Sequence, residues 1–244
     1  PWHYLPTWFV ITLPEFYAVI LLLGAAALVA RRPHRGSSDP DIQSKLVFLG
    51  FSILFPIVYA IVARPVVYDG TRHFLFVVPL LAVLSGVTLA WFFAQPLSRP
   101  IKLATAAVLV ALGAVTAADM FHLHPYEYVF FNRTYGGLPA ALGHFETDYW
   151  GVSHKEGIDW LKSNYKPNAP PRSIRVATTA ADFQTSYYLP GDGRSTERFV
   201  PVNRRQDPDV ILSITRYDAH LKYPGKVIHV VQRMGVPLLY VIER

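Results

Sequence analysis

Four stretches in the first half of the chain are almost free of charge. Leu5 to Ala30 contains only Glu15, and Leu46 to Ala63, Phe74 to Ser98 and Leu103 to Ala118 contain no Asp, Glu, Lys or Arg. Each approaches the roughly 20 residues that a helix needs to cross about 30 Å of hydrocarbon. The pattern predicts four transmembrane helices at about 12–30, 46–63, 74–94 and 101–118. Pro56 and Pro79 fall inside two of them, which membrane helices tolerate when neighbouring groups satisfy the freed carbonyls.

After about residue 119 the period changes. "SHKEGIDWLKSNY" reads as an amphipathic helix, with Ser153 and Glu156 at capping-box spacing and Ile158 and Leu161 on one face. "SIRVATT" and "PDVILSI" read as strands, and "KVIHVVQ" and "PLLYVIE" as a hairpin around "RMGV". "PGDGRS" reads as a turn or loop. The fold class expected is therefore mixed: a multi-span α-helical membrane region over 1–118, then a small extracytoplasmic α/β domain over 119–244 that caps the membrane mouth.

Charge sets the orientation. "RRPHRGSSDPDIQSK" and "QPLSRPIK" hold Arg31, Arg32, Arg35, Lys45, Arg99 and Lys102, which places both loops in the cytoplasm. Residues 1–11, the Arg64–His73 connection and the C-terminal domain then face the other side. The net charge of +6 does not indicate nucleic acid, because eight of the 23 basic side chains sit in the membrane half as topology signals and the rest are interspersed with acids. No nucleic-acid partner is expected, whereas membrane lipids are. The absence of cysteine removes disulfides, thiolate catalysis and Cys-based zinc sites. No phosphate loop, GxSxG elbow or HExxH pattern occurs.

The chain opens "PWHYLPTWFV", without Met or a signal-peptide pattern. It is expected to be processed, a fragment, or one polypeptide of a split enzyme. Trp2, Tyr4 and Trp8 suit either an interfacial belt or packing against other chain segments.

Candidate chemistry gathers in two places. "RPVVYDGTRHFLF" puts Tyr68, Asp69, Arg72 and His73 in a short connection between two apolar runs. "FHLHPYEYVFFNRTYGG" with "GHFETDYWG" supplies His122, His124, Glu127, Arg133 and Asp148. His122, His124 and a carboxylate could hold a divalent metal, or the segment could be a Tyr/His belt with structural hydrogen bonds. Glu127, Arg133 and Asp148 could line an acceptor entrance, or Glu127 could pair with Arg133 and hold the turn. Asn132-Arg133-Thr134 matches the glycosylation sequon, a match read as incidental.

"PWHYLP", "YDGTRHFLFVVPL", "HPYEYVFFN" and "DYWGVSHKEGIDWL" together resemble the later transmembrane part and C-terminal region of bacterial GT-C membrane glycosyltransferases of the protein O-mannosyltransferase and aminoarabinose-transferase superfamily. The resemblance covers most of residues 1–165. It implies a multi-pass protein of the bacterial inner membrane, a polyprenyl-phosphate sugar as donor, and a catalytic acid in a first outer loop that lies in an N-terminal portion or partner subunit. The catalytic residue is thus left unassigned here. It further implies that Arg72, with His73 and Tyr68, could meet the donor phosphate while Asp69 orients Arg72; the alternative is an interfacial salt-bridge cluster that fixes the loop and never touches substrate. The other class of function is a non-catalytic membrane scaffold or accessory subunit of a larger complex. A transporter fits less well, since the three later spans carry no central ionisable group and no repeat is visible.

Overall fold

The computed structural model describes residues 2–29, 40–166, 173–189 and 199–244. These residues form a helical unit, 1–119 with 131–135, and a small α/β unit, 120–130 with 136–244. The "PGDGRS" segment and the three arginines of the first basic loop lie outside the described residues.

The helical unit opens with α1 (Tyr4–Thr12) and α2 (Glu15–Val29), bent by 111° at the break between them. The helix expected at about 12–30 is α2, which begins at Glu15 after a short helix and a sharp corner that the sequence reading did not foresee. Pro14 is the cause. It supplies no N–H and forces the residue before it out of helical conformation, and Leu13 is extended at φ −76°, ψ 136°. The remaining helices are α3 (Pro40–Ala63), α4 (Val77–Ala94) and α5 (Arg99–Leu123). These three are long and apolar enough to cross a membrane, and the bent pair makes a fourth only if it is counted as one span.

The helices run past the charge-free windows at two ends. Helix α3 begins with a turn pinned by Lys45 on Asp41 at 2.6 Å, and α5 continues five residues beyond 118 to Leu123. Pro56 lies inside α3. Pro79 falls in the first turn of α4, where its missing N–H has no intrahelical role. Leu5 and Phe9 of α1, Ile53 and Ala60 of α3, and Phe74, Val77 and Leu81 form one buried cluster. The rest of α3 shows apolar side chains outward, with Phe51, Phe55 and Tyr59 stacked one turn apart at 5.0 and 6.0 Å.

In the α/β unit, α6 (Gly137–Ala141) and α7 (His154–Asn164) precede β1 (Ile174–Thr178), α8 (Asp182–Tyr188), β2 (Phe199–Pro201), β3 (Val210–Ile214), β4 (Lys226–Arg233) and β5 (Val236–Glu243). One five-stranded sheet has the order β2-β1-β3-β5-β4. Strands β1, β2 and β3 are parallel, while β5 is antiparallel to both β3 and β4. The four predicted strands and the hairpin are present, and β2 and α8 join them. Three residues are too few for a periodic signal in β2, and α8 mixes polar and aromatic residues.

Helix α7 packs on β4 and β5, and α8 on β1 and β2. Ile158 and Leu161 are fully buried, as their spacing predicts. Gly157 lets the helix come close: a Cβ there would run into Leu239 of β5 and touch Leu212 of β3 at 3.6 Å. The capping box does not form. Ser153 makes no side-chain cap on α7, because its hydroxyl and amide both donate to Asp148 and Glu156 is engaged elsewhere.

Candidate functional site

The connection between α3 and α4 draws the four predicted residues of the helical unit together. Arg64 ends α3 in the left-handed region at φ 51°, its amide still donating to the Ala60 carbonyl at 3.0 Å. Asp69 and Gly70 are both left-handed, at φ 58° and 69°, a pair that asparagine, aspartate and glycine tolerate and bulkier residues do not. Their turn is clamped from α1: the Gly70 amide donates to the Tyr4 hydroxyl at 3.1 Å, and Gly70 lies against the Trp8 ring. Trp8 is buried and also meets Phe131 at 5.8 Å, so it packs within this unit, while Trp2 is exposed.

Asp69 is buried and holds Arg72 Nη1 at 3.1 Å. The Arg72 guanidinium also lies 4.4 Å from the Tyr68 ring centre, and its Nε reaches His73 Nε2 at 3.3 Å. The Arg72 side chain remains a quarter exposed. The carboxylate thus fixes one edge of the fork, and the ring fixes its plane. Asp69 and His73 thus engage Nη1 and Nε of a planar cation whose chemistry suits phosphate oxygens.

The second predicted cluster is divided among separate partners. Arg133 holds the buried Asp119 with two hydrogen bonds of 2.9 and 2.7 Å, while Glu127 binds His124 Nδ1 at 2.6 Å. The expected Glu127–Arg133 pair is therefore corrected. Glu127 is half-buried, and its own backbone amide with the His124 ring holds its carboxyl below the ordinary value. Among the described residues no group of three or more His, Cys, Asp or Glu side chains is placed to hold a metal ion, and the His122–His124–carboxylate set does not assemble.

Asn132 has a structural task. It is 3 % exposed, and its amide nitrogen donates to the carbonyls of Val10 at 2.6 Å and Leu13 at 2.9 Å. These are carbonyls that the Pro14 break leaves without helical partners. Glu15 completes the join by accepting the amides of Arg133 and Thr134.

Asp148, 1 % exposed, accepts from the Tyr128 hydroxyl, the Ser153 hydroxyl, and the amides of Val152 at 3.0 Å and Ser153 at 3.1 Å. It serves as the N-terminal anchor of α7, a role sequence spacing assigned to Ser153. Beside it, His154 bonds the Gly151 carbonyl at 2.8 Å and the Thr178 hydroxyl. Burial lowers the His154 imidazole from the ordinary histidine value, outweighing the pull of Asp148. Burial, reinforced by the Asp148 charge, pushes the Tyr128 hydroxyl far up. Glu156 joins Arg233 at 2.6 Å and the Tyr126 hydroxyl at 2.7 Å, and Arg233 lies 4.6 Å from the Tyr126 ring centre.

Sequence reasoning missed a cleft of about 880 Å³ in the α/β unit. It opens at the carboxyl ends of β1 and β3, between Trp150, the Thr179–Ala181 turn and the Arg216–Lys222 turn. The signal was present as tyrosines and cations scattered over more than 70 residues of sequence, which only the parallel pairing of β1 and β3 brings to one edge. Scans of protein-family models, curated proteins and solved structures find no match to this chain.

Proposed function

We propose that the chain is part of a bacterial inner-membrane glycosyltransferase that uses a polyprenyl-phosphate sugar, with Arg72 binding the donor phosphate. The observation that carries this reading is the oriented, partly exposed Arg72 fork at the end of a membrane-length helix, fixed by buried Asp69 and flanked by Tyr68 and His73. The outward apolar rings of α3 support lipid as its solvent. In this reading the α/β unit is extracytoplasmic, and Arg72 stabilises the negative charge that develops on the departing lipid phosphate. The acceptor is deprotonated by a carboxylate this chain does not assign.

A second reading, a non-catalytic accessory subunit, is favoured by the state of the acids. Asp69 is tied to Arg72, Asp148 to four donors and Glu127 to His124. None of the three is placed as a general base. Binding of a short-chain polyprenyl-phosphate sugar to the full chain in detergent separates the site from its absence. Arg72→Lys keeps the charge opposite Asp69 but loses the fork, so binding should weaken about tenfold, the value of one charge-assisted hydrogen bond. Unchanged binding and transfer in both Arg72→Lys and Arg72→Ala would remove Arg72 from the site. Transfer by the full assembly of this chain with the N-terminal portion or partner subunit, lost in Arg72→Ala, decides for the enzyme over the accessory subunit.

A further inference from the structure

We propose that the cleft at the carboxyl ends of β1 and β3 binds an anionic saccharide, a sugar bearing a carboxylate or phosphate substituent. This site belongs to the α/β unit and is argued independently of the Arg72 reading. Its location is where ligands settle on parallel strands, outside the carboxyl ends between loops that diverge. Strand β1 leads through the Thr179–Ala181 turn into α8 towards β2, while its neighbour β3 leads into the Arg216–Lys222 turn on the other side. A volume of about 880 Å³ lies within the range of small-molecule sites and accommodates two or three sugar rings.

The walls are aromatic and wet. Trp150, Phe183, Tyr187, Tyr217 and Tyr223 line the cleft, and the first four are more than half exposed, from 53 % for Trp150 to 76 % for Tyr187. Rings left this open in a concavity offer apolar faces to a ligand that is itself amphipathic, and the tyrosine hydroxyls offer polar tips beside them. Tyr149 and Trp150 stand nearly perpendicular, at 84° and 5.8 Å, as do Tyr187 and Tyr188 at 85° and 5.1 Å. Each pair therefore mixes faces with edges, which matches the CH-rich faces and hydroxyl-rich rims of pyranose rings.

The charge on the lining is of one sign. Arg204, Arg216 and Lys222 contribute, and among the described residues no Asp or Glu lines the cleft. Arg216 is committed to structure: it pairs with Glu146 at 3.1 Å, donates to the Tyr149 carbonyl at 3.1 Å and lies over Tyr217. Arg204 and Lys222 are exposed and form no ion pair among the described residues. Two cations facing an aromatic cleft favour a ligand with negative charge.

A nucleotide fits these residues less well. The turn after β1 is Thr179-Ala180-Ala181 with no glycine to let a diphosphate approach the backbone. The next residue, Asp182, begins α8 and accepts from the Asn203 side-chain amide at 2.8 Å, so the helix start itself carries a carboxylate.

Titration calorimetry on the full chain in detergent micelles tests this with five probes: trigalacturonate, a hexose 6-phosphate, neutral galactotriose, inorganic phosphate and uridine diphosphate. Saturable binding of trigalacturonate or the hexose phosphate is expected, at least tenfold tighter than galactotriose. The double variant Arg204→Ala/Lys222→Ala should erase that preference, and Trp150→Ala should weaken binding of both anionic and neutral sugars at an unchanged melting temperature. The proposal is overturned if neither anionic sugar binds saturably, if galactotriose binds as tightly, if the double variant keeps the preference, or if phosphate or uridine diphosphate alone binds more tightly than the anionic sugars.

Discussion

Removing the Asp148 carboxylate should unlock the N-terminus of α7. Four donors converge on this buried side chain: the Tyr128 and Ser153 hydroxyls and the amides of Val152 and Ser153. A hydrogen bond to a charged group contributes about 1.5–3 kcal/mol, and a buried donor left without a partner costs about 1–3 kcal/mol. The four share one acceptor and are not additive, so Asp148→Ala is expected to cost about 4–6 kcal/mol, a large part of a typical domain's stability. Asp148→Asn leaves one acceptor oxygen but turns an NH₂ group on the remaining donors, for about 2–4 kcal/mol. Tyr128→Phe removes a single donor and should cost the least of the three. Hydrogen exchange of the full chain in detergent, followed on peptides covering residues 149–164, reads the local opening free energy. Asp148→Ala should lower protection there by several orders of magnitude. Unchanged protection, with sugar transfer lost, would refute the structural assignment and return Asp148 to an acceptor entrance.

Other perturbations follow from the same contacts. Gly157→Ala drives a methyl into Leu239 and should destabilise the α/β unit by about 1–3 kcal/mol, read as a lower denaturant midpoint at constant slope. Asn132→Ala strands the Val10 and Leu13 carbonyls and should cost about 2 kcal/mol, seen as faster exchange at the α1–α2 corner. Because burial lowers the folded-state value of His154, its contribution to stability is complete above the unfolded value of about 6.5 and is lost as pH falls below it, at up to about 1.4 kcal/mol per unit. His220 and His229 shift in the same direction by burial, so His154→Gln should flatten only part of that slope in melts between pH 7 and 5. At Glu156 burial works upward, but the Arg233 and Tyr126 hydrogen bonds prevail and lower the folded value; its contribution is present above about 4.5 and lost on further acidification. Glu156→Gln should remove that acid loss, and an unaltered slope below pH 4.5 would count against the Arg233 contact.

Much of this protein is written locally. The charge-free runs 46–63, 74–98 and 103–118 lie largely within α3, α4 and α5 because an unbroken apolar stretch of that length satisfies its own backbone only as a helix. Alternation and β-branched residues likewise announced β1, β3 and the β4–β5 hairpin. The Tyr68–His73 cluster was legible for the same reason: its members are within six residues, so a single turn gathers them. What only tertiary structure decided are the partners across long separations. Asn132 finds the carbonyls freed by Pro14 about 120 residues earlier, and Arg133 takes Asp119 in place of Glu127. Asp148 displaces Ser153 as the anchor of α7, since a buried carboxylate can satisfy several donors where a hydroxyl cap satisfies one. The cleft is the extreme case: Trp150, Arg204 and Lys222 share no period or motif, and it is the pairing of β1 with β3, a long-range choice set by burial of both strands, that places them around one opening.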